Sequence, residues 1–183
     1  MDHAGGIRIR IASSPELSPA DRAGLRALFD ACWPDGSFTQ DDVDHAMGGT
    51  HWLALDGERI VAHASVVARE LHADGVPLET GYVEGVATLP GHQHRGIATR
   101  LMRAAGDHIH ERCELGALST DVHPLYEGTG WERWRGPTYV RTHAGDVRTE
   151  DEDEGIMILR TPRTPPLAGT EPLSCEWRAG DCW

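Results

Sequence analysis

The amino-acid sequence predicts an α/β fold: one central sheet, mixed but mostly antiparallel, with helices flanking it. Three observations predict it. Segments of strand-like and helix-like periodicity alternate along the chain. Two glycine turns, Asp56-Gly57-Glu58 and Ala73-Asp74-Gly75, separate three consecutive apolar runs, which makes the middle of the chain an antiparallel meander. A third glycine turn, at Gln93-His94-Arg95-Gly96-Ile97-Ala98, then opens a helix with one apolar face.

The elements follow in order. Ile7 to Ile11 alternates apolar and basic residues and reads as a strand with one buried face. Ser18 is placed to cap a helix that has Pro19 in its first turn and Leu25, Leu28, Phe29 and Cys32 on one side. Pro34-Asp35-Gly36-Ser37 ends it. A short helix begins near Thr39 and stops at Gly48-Gly49. The meander strands are His51 to Leu55, Arg59 to Leu71 and Leu78 to Thr88. Ile97, Leu101, Met102, Ala105 and Ile109 mark the long helix. Leu115 to Ser119 is a strand, Pro124 to Glu127 a helical turn, and Trp131 to Val140 an aromatic strand region. Residues 141–155 are polar and acidic and read as a loop. Ile156 to Leu159 is a strand, 161–172 is Pro-rich and irregular, and Leu173 to Trp177 is a last strand in a tail of residues 173–183.

At 183 residues the chain is expected to form a single domain, 1–183, with no need of a disulfide or metal. Cys32, Cys113, Cys175 and Cys182 form no C-x-x-C pair and match no zinc spacing. The opening MDHAGGIRIR lacks the apolar core of a secretory signal, and no run is long enough for a membrane span. The expectation is a cytoplasmic protein with no membrane partner. Asp plus Glu number 29 against 17 Lys plus Arg, a formal charge of -12, which disfavours nucleic acid and favours cations. An ordinary solvated acidic surface fits the charge as well.

The turn Gln93 to Ala98 is the most specific local signal. A helix N-terminus offers unpaired N–H groups and partial positive charge, glycine admits a close phosphate, and Arg95 adds a charged donor. The pattern is neither a Walker loop nor a dinucleotide fingerprint. Its form, Q/R-x-x-G-x-G/A after a strand, resembles that of the GCN5-related N-acetyltransferases. The resemblance implies that fold and acetyl-coenzyme A as cofactor. It implies that Gln93, His94, Arg95, Gly96, Ile97 and Ala98 hold the pyrophosphate and that Val86, Ala87 and Thr88 pair with the pantetheine arm, with the Val86 N–H as oxyanion donor.

Further segments resemble the aminoglycoside 2'-N-acetyltransferases. They include Met47-Gly48-Gly49, Gly81-Tyr82-Val83-Glu84-Gly85-Val86-Ala87, Leu115 to Ser119, Leu125-Tyr126, Gly130-Trp131, Gly136-Pro137-Thr138 and the block Cys175 to Trp183. This resemblance implies acetylation of the 2'-amine of a cationic aminoglycoside, conferring antibiotic resistance, by a homodimer. Its surface is expected at the C-terminal strand and Trp131 to Val140. Acetyl transfer requires a deprotonated amine, a polarised thioester carbonyl and a proton for the departing thiolate. The resemblance gives the amine to Glu84, directly or through water, and the thiolate proton to Tyr126. For the acceptor pocket it implies Asp42, Gly85, Ser119, Asp153, Asp181 and the Trp183 carboxylate. Near Phe38 the relatives often carry an aspartate where this chain has Ser37, with Asp35 two residues before. That change makes a smaller acceptor such as kasugamycin an option.

His92-x-His94 and His108-x-His110 lack a third convergent ligand, so no metal is expected. His63 is the one other histidine that could serve as a base. Competing readings keep the fold with a polyamine or protein N-terminus as acceptor, or remove turnover and leave a drug-binding module.

Overall fold

The computed structural model describes residues 6–183. The first five residues of the MDHAGGIRIR stretch therefore lie outside the described residues. Among those described, ten strands and four α-helices form: β1 Arg8–Ser13, α1 Pro19–Cys32, α2 Gln40–Ala46, β2 Thr50–Asp56, β3 Arg59–Ala73, β4 Val76–Thr88, α3 Ile97–Arg112, β5 Leu115–Ser119, α4 His123–Glu127, β6 Glu132–Arg133, β7 Thr138–Thr142, β8 Gly145–Arg148, β9 Ile156–Arg160 and β10 Leu173–Glu176. Among the described residues the chain forms two compact units, residues 6–67 with 84–105, and residues 68–83 with 106–183. Strands β3 and β4 contribute residues to each.

In the first unit the strand order is β1–β2–β3–β4. Helix α1 starts as its sequence dictates: the Ser18 hydroxyl accepts from the Asp21 N–H at 3.1 Å while the Asp21 carboxylate returns to Ser18. Its apolar positions Leu25, Leu28 and Phe29 are all 1% exposed, so this is the face that makes the core. Thr39 and Asp42 repeat the reciprocal cap on α2. Gly49 is required by contact: a Cβ there would lie 1.9 Å from the Val66 carbonyl oxygen.

In the second unit the order is β6–β9–β5–β4–β3–β10–β7–β8. Pairs β4–β5 and β10–β7 are parallel, and β10–β3, β5–β9, β6–β9 and β7–β8 are antiparallel, as a mixed, mostly antiparallel sheet requires. The β4–β5 pairing covers Thr80 to Tyr82 against Leu115 to Ala117, and β4 itself runs on to Thr88. The β3–β4 turn is built on two left-handed residues, Asp74 (φ 49°) and Gly75 (φ 76°), the backbone that a tight hairpin asks for.

Two expectations change here. The acidic loop of residues 141–155 contains β8, which pairs with β7 in register Tyr139↔Arg148 to Thr142↔Gly145, followed by a 3-10 turn at Glu150–Glu152. Strand β8 ends its sheet order and three of its four residues are exposed, so no apolar alternation marks it. The aromatic region Trp131 to Val140 is two strands, not one: β6 pairs with β9 and β7 with β10. Gly136-Pro137 divides them, and a Cβ on Gly136 would lie 2.0 Å from the Glu171 carbonyl.

The tail is anchored within the second unit. Arg69, 7% exposed, donates to the Glu176 carboxylate at 2.9 Å and to the Cys182 carbonyl at 2.8 Å, with its guanidinium 4.5 Å from the Tyr82 ring centre. Trp183 is buried and its indole N–H donates to Thr149 Oγ1 at 3.1 Å. All four cysteines are free thiols. No helix among the described residues is long and apolar enough to cross a membrane.

Candidate functional site

The first unit carries the glycine turn and the strand before it. His94 (φ 59°) and Gly96 (φ 71°) are both left-handed, with Arg95 between them, and α3 begins at Ile97. Such alternation turns successive N–H groups toward one hollow suited to an anion. His94 is the only non-glycine besides Asp74 among the described residues to adopt this backbone. Gln93, His94, Arg95 and Gly96 are exposed, and a Cβ on Gly96 would meet nothing within 4 Å, so the turn is accessible from outside. Ile97 is buried under the turn and Ala98 half-buried. Gln93 turns back and donates to the Thr88 carbonyl at 3.1 Å, which ties the turn to the end of β4. Thr88 Oγ1 is buried with no hydrogen-bond partner, while Val86 is half-buried and Ala87 buried. An accessible turn and an unsatisfied hydroxyl in the adjoining strand fit a phosphate-bearing ligand with a polar arm.

Glu84 and Gly85 are half-buried in β4. Gly85 takes φ 59°, and a left-handed glycine inside a strand is how a bulge re-aims its neighbours. The carbonyl of Glu84 accepts from Ser65 Oγ at 3.2 Å, and that of Gly85 lies 2.6 Å from His63 Nδ1. Of the acceptor residues expected in this unit, Asp42 spends one carboxylate oxygen on Thr39 and Asp35 accepts from both the N–H and hydroxyl of Ser37. Those two bonds hold the Asp35 carboxyl below its usual range. Phe38, next to Ser37, stacks on Trp33 with ring centres 4.5 Å apart and sits 4.6 Å from Phe29.

The second unit holds Tyr126, Ser119, Asp153, Asp181 and Trp183. Tyr126 lies on α4, 7% exposed and edge-on to Trp131. Burial pushes its phenol up to about 12, partly opposed by a hydrogen bond with Thr120, so it stays protonated at every ordinary pH. The acidic run separates into two roles. Asp153 accepts from the Thr138 N–H and hydroxyl, both at 2.9 Å, and forms an ion pair with Arg148. Hydrogen bonding to Arg148 holds it below the usual carboxylate range, so it works as a fastener between β7 and the run. Glu152 is the carboxylate that meets Ser119, whose hydroxyl donates to it at 3.3 Å. Burial raises the Glu152 carboxyl, and the charges of Asp181, Asp121 and Asp151 add to the rise. Asp181 itself is exposed and accepts from the Trp183 N–H at 3.0 Å, while Arg178 bonds the Asp181 and Trp183 backbone oxygens. Asp153, expected in the acceptor pocket, is engaged by Thr138 and Arg148, and Glu152, not singled out from the sequence, meets Ser119. The separating signal was the reach of Thr138 and Arg148 across strands, which no local pattern displays. Among the described residues no group of three or more His, Cys, Asp or Glu side chains converges for a metal.

Residues 18–134 match the model of the acetyltransferase (GNAT) domain. Over 185 aligned residues the chain is 35% identical to an aminoglycoside 2'-N-acetyltransferase of Mycolicibacterium fortuitum, covering 98% of this chain and 94% of that protein. Among solved structures, the GNAT family N-acetyltransferase YhbS of Escherichia coli, determined with CoA, superposes with a TM-score of 0.69 at 16% identity. The match covers 100% of this chain and 98% of that one. A GNAT family acetyltransferase from Brucella melitensis, determined with acetyl-CoA, gives 0.62 at 15% identity over 94% and 97%. A GCN5-related N-acetyltransferase from Kribbella flavida gives 0.55 at 16%, covering 74% of this chain but 36% of that one, so this chain spans about a third of its length. At these identities the structures speak to the fold alone.

Proposed function

The chain belongs to the GNAT acetyltransferase family, and on that premise we propose that it acetylates the 2'-amine of an aminoglycoside antibiotic with acetyl-coenzyme A. Bound at the turn, acetyl-coenzyme A supplies an activated acetyl thioester. Residues Gln93 to Ala98 bind its pyrophosphate through backbone N–H groups and Arg95, and the β4 backbone from Val86 to Thr88 takes the pantetheine arm, where the lone Thr88 hydroxyl finds a partner. The Val86 N–H stabilises the oxyanion. Glu84 holds the acceptor ammonium and removes its proton. Tyr126, held neutral by burial, returns a proton to the departing sulfur.

The observation that carries the acceptor class is the Glu152 site. A half-buried carboxylate raised by burial and by neighbouring acids is relieved when a cation arrives, and its partners Ser119 and Asp181 are matched to amino and hydroxyl groups of one sugar. In a chain of formal charge -12 a polycation is also drawn in over distance. The relative's substrate class agrees with this chemistry. Glu152 replaces Asp153 in the acceptor set, and Asp35 and Ser37 occupy each other's hydrogen bonds beside Phe38. A narrower acceptor of the kasugamycin type is compatible with that pairing.

The test is thiol release from acetyl-coenzyme A against gentamicin, tobramycin, neamine and kasugamycin, with kanamycin, which has a 2'-hydroxyl, as control. Turnover of the 2'-amines and not of kanamycin supports the proposal. Turnover of kasugamycin alone narrows it. Cofactor binding with no turnover of any of them moves the acceptor to a different amine.

A further inference from the structure

Behind the Glu84-Gly85-Val86 segment runs a line of buried polar groups that the proposed chemistry does not use. His51 and His63 are both fully buried, on neighbouring strands in register Leu53↔His63 and His51↔Ser65. His63 Nδ1 is 2.6 Å from the Gly85 carbonyl oxygen, His63 Nε2 is 2.9 Å from His51 Nδ1, and His51 Nε2 is 2.7 Å from Ser14 Oγ. The Gly49 N–H donates to Ser14 Oγ at 3.1 Å. Phe29 packs edge-on against His63, ring centres 5.4 Å apart.

The order of atoms fixes the direction of every bond. The Gly85 carbonyl can only accept, so His63 carries its proton on Nδ1. Burial pulls the His63 ring down to about 3 and the His51 ring to about 4, so both are neutral. His63 Nε2 then accepts from His51 Nδ1–H, and the Ser14 hydroxyl, which also has the Gly49 carbonyl within reach at 3.1 Å, donates to His51 Nε2 at 2.7 Å. The line is fully satisfied in one sense only, and it ends on a carbonyl that cannot pass a proton onward. A relay of protons to or from the reaction is therefore ruled out, and what remains is a strut.

The strut acts on a particular feature. Ser65 and His63, two residues apart on β3, take the carbonyls of Glu84 and Gly85, which are consecutive. In a regular strand consecutive carbonyls point to opposite edges. Left-handed Gly85 turns this pair to a common side, and a Cβ there would lie 3.3 Å from the His63 ring and from Ala46.

We infer that His63 is a positioning residue for acetyl transfer: by holding the Gly85 carbonyl it sets the orientation of Glu84 and of the Val86 N–H, with His51 and Ser14 fixing its tautomer. The inference rests on the reading that this segment carries the transfer chemistry.

Three variants separate positioning from simple support. Asparagine places an amide N–H where His63 Nδ1 stands, glutamine places its amide near Nε2 and leaves Gly85 without a donor, and leucine removes both. His63→Asn is expected to keep kcat within about threefold, whereas His63→Gln and His63→Leu lose about tenfold or more, the scale of small misplacements of reacting groups. The KM for acetyl-coenzyme A stays within about twofold throughout, since the glycine turn is untouched. A merely structural His63 would lower Tm in His63→Asn and His63→Gln alike, with kcat falling in step with the folded fraction. Equal kcat in those two variants overturns the inference. A second readout is independent of the acceptor: in 15N-labelled protein the Val86 amide resonance reports polarisation of the Gly85–Val86 peptide, and it is expected to move in His63→Gln far more than in His63→Asn. If no aminoglycoside is turned over, the acceptor proposal fails, and kcat is read instead on slow thioester hydrolysis by water. The same ranking there upholds His63, and a flat ranking removes it.

Discussion

Exchanging carboxylates for amides at Glu152 and Asp153 distinguishes the two neighbours sharply. Glu152→Gln keeps the shape and still accepts from Ser119, so the folded chain loses little; it relinquishes a half-buried negative charge that its acidic neighbours already penalise. Against an acceptor ammonium at about 4 Å and an effective dielectric near 20, the Coulomb attraction is about 4 kcal/mol. Desolvation of both partners consumes much of it, leaving about 1–2 kcal/mol, at the low end for a hydrogen bond to a charged group. That corresponds to a rise in acceptor KM of about 5- to 30-fold, with KM for acetyl-coenzyme A unchanged. Asp153→Asn behaves oppositely. It removes the ion pair with Arg148 and weakens two bonds from Thr138, and since both charged side chains are about a third exposed the loss of stability is modest. For a chain of this length it is expected as a Tm lowered by about 2–4 °C. Steady-state kinetics and calorimetry on the two purified variants decide. If Asp153→Asn raised acceptor KM more than Glu152→Gln did, at an unchanged Tm, the division of roles would be refuted.

Four more expectations follow from the same geometry. Tyr126→Phe removes the proton donor and lowers kcat by about 100-fold or more, with Tm down only by the worth of its single bond to Thr120, as steady-state assays and melting will show. Arg95→Ala raises the KM for acetyl-coenzyme A and leaves that of the acceptor alone, while Asp181→Asn does the reverse; equal effects on both would dissolve the assignment. Acceptor KM rises as pH falls through the raised carboxyl range of Glu152, because the protonated acid no longer attracts a cation, and Glu152→Gln flattens this limb. Folding stability also falls with acid. His51 and His63 titrate in the fold near 4 and 3, below the unfolded value of about 6.5, so the unfolded chain takes two protons that the fold refuses. Their contribution is complete above that value and lost below it at about 2.7 kcal/mol per pH unit, the two-proton slope, between about pH 6 and 4. Urea titrations at pH 7 and pH 5 measure it, and a midpoint indifferent to pH would contradict buried neutral rings.

What the sequence discloses is what repeats locally or punctuates the backbone. Ser18 with Asp21 and Thr39 with Asp42 are separated by three residues, so each cap is written within one turn and each helix starts where the pattern says. Asp74-Gly75 and Gly96 adopt the left-handed backbone for which glycine and aspartate are suited, and they mark the hairpin and the turn that opens α3. Strand β8 is hidden for the converse reason: as an exposed edge it buries nothing, so Gly145 to Arg148 looks like a loop although its ladder to β7 is complete. The division of Trp131 to Val140 is equally silent, since its two halves find different partners, β9 and β10, from later in the chain. The candidate site follows the same rule. The turn was legible because six adjacent residues make it. That Asp153 is engaged by Arg148 and Thr138 while Glu152 meets Ser119 was not, because those partners come from three separate segments. His51 and His63 are the extreme case: read along the chain they are two of eleven histidines, and only a register that sets His51 opposite Ser65 lets Ser14, His51, His63 and Gly85 form one line. Polar groups cooperating across strands impose no periodicity on the sequence, so a line such as Ser14, His51, His63 and Gly85 is systematically harder to read than a turn made of adjacent residues.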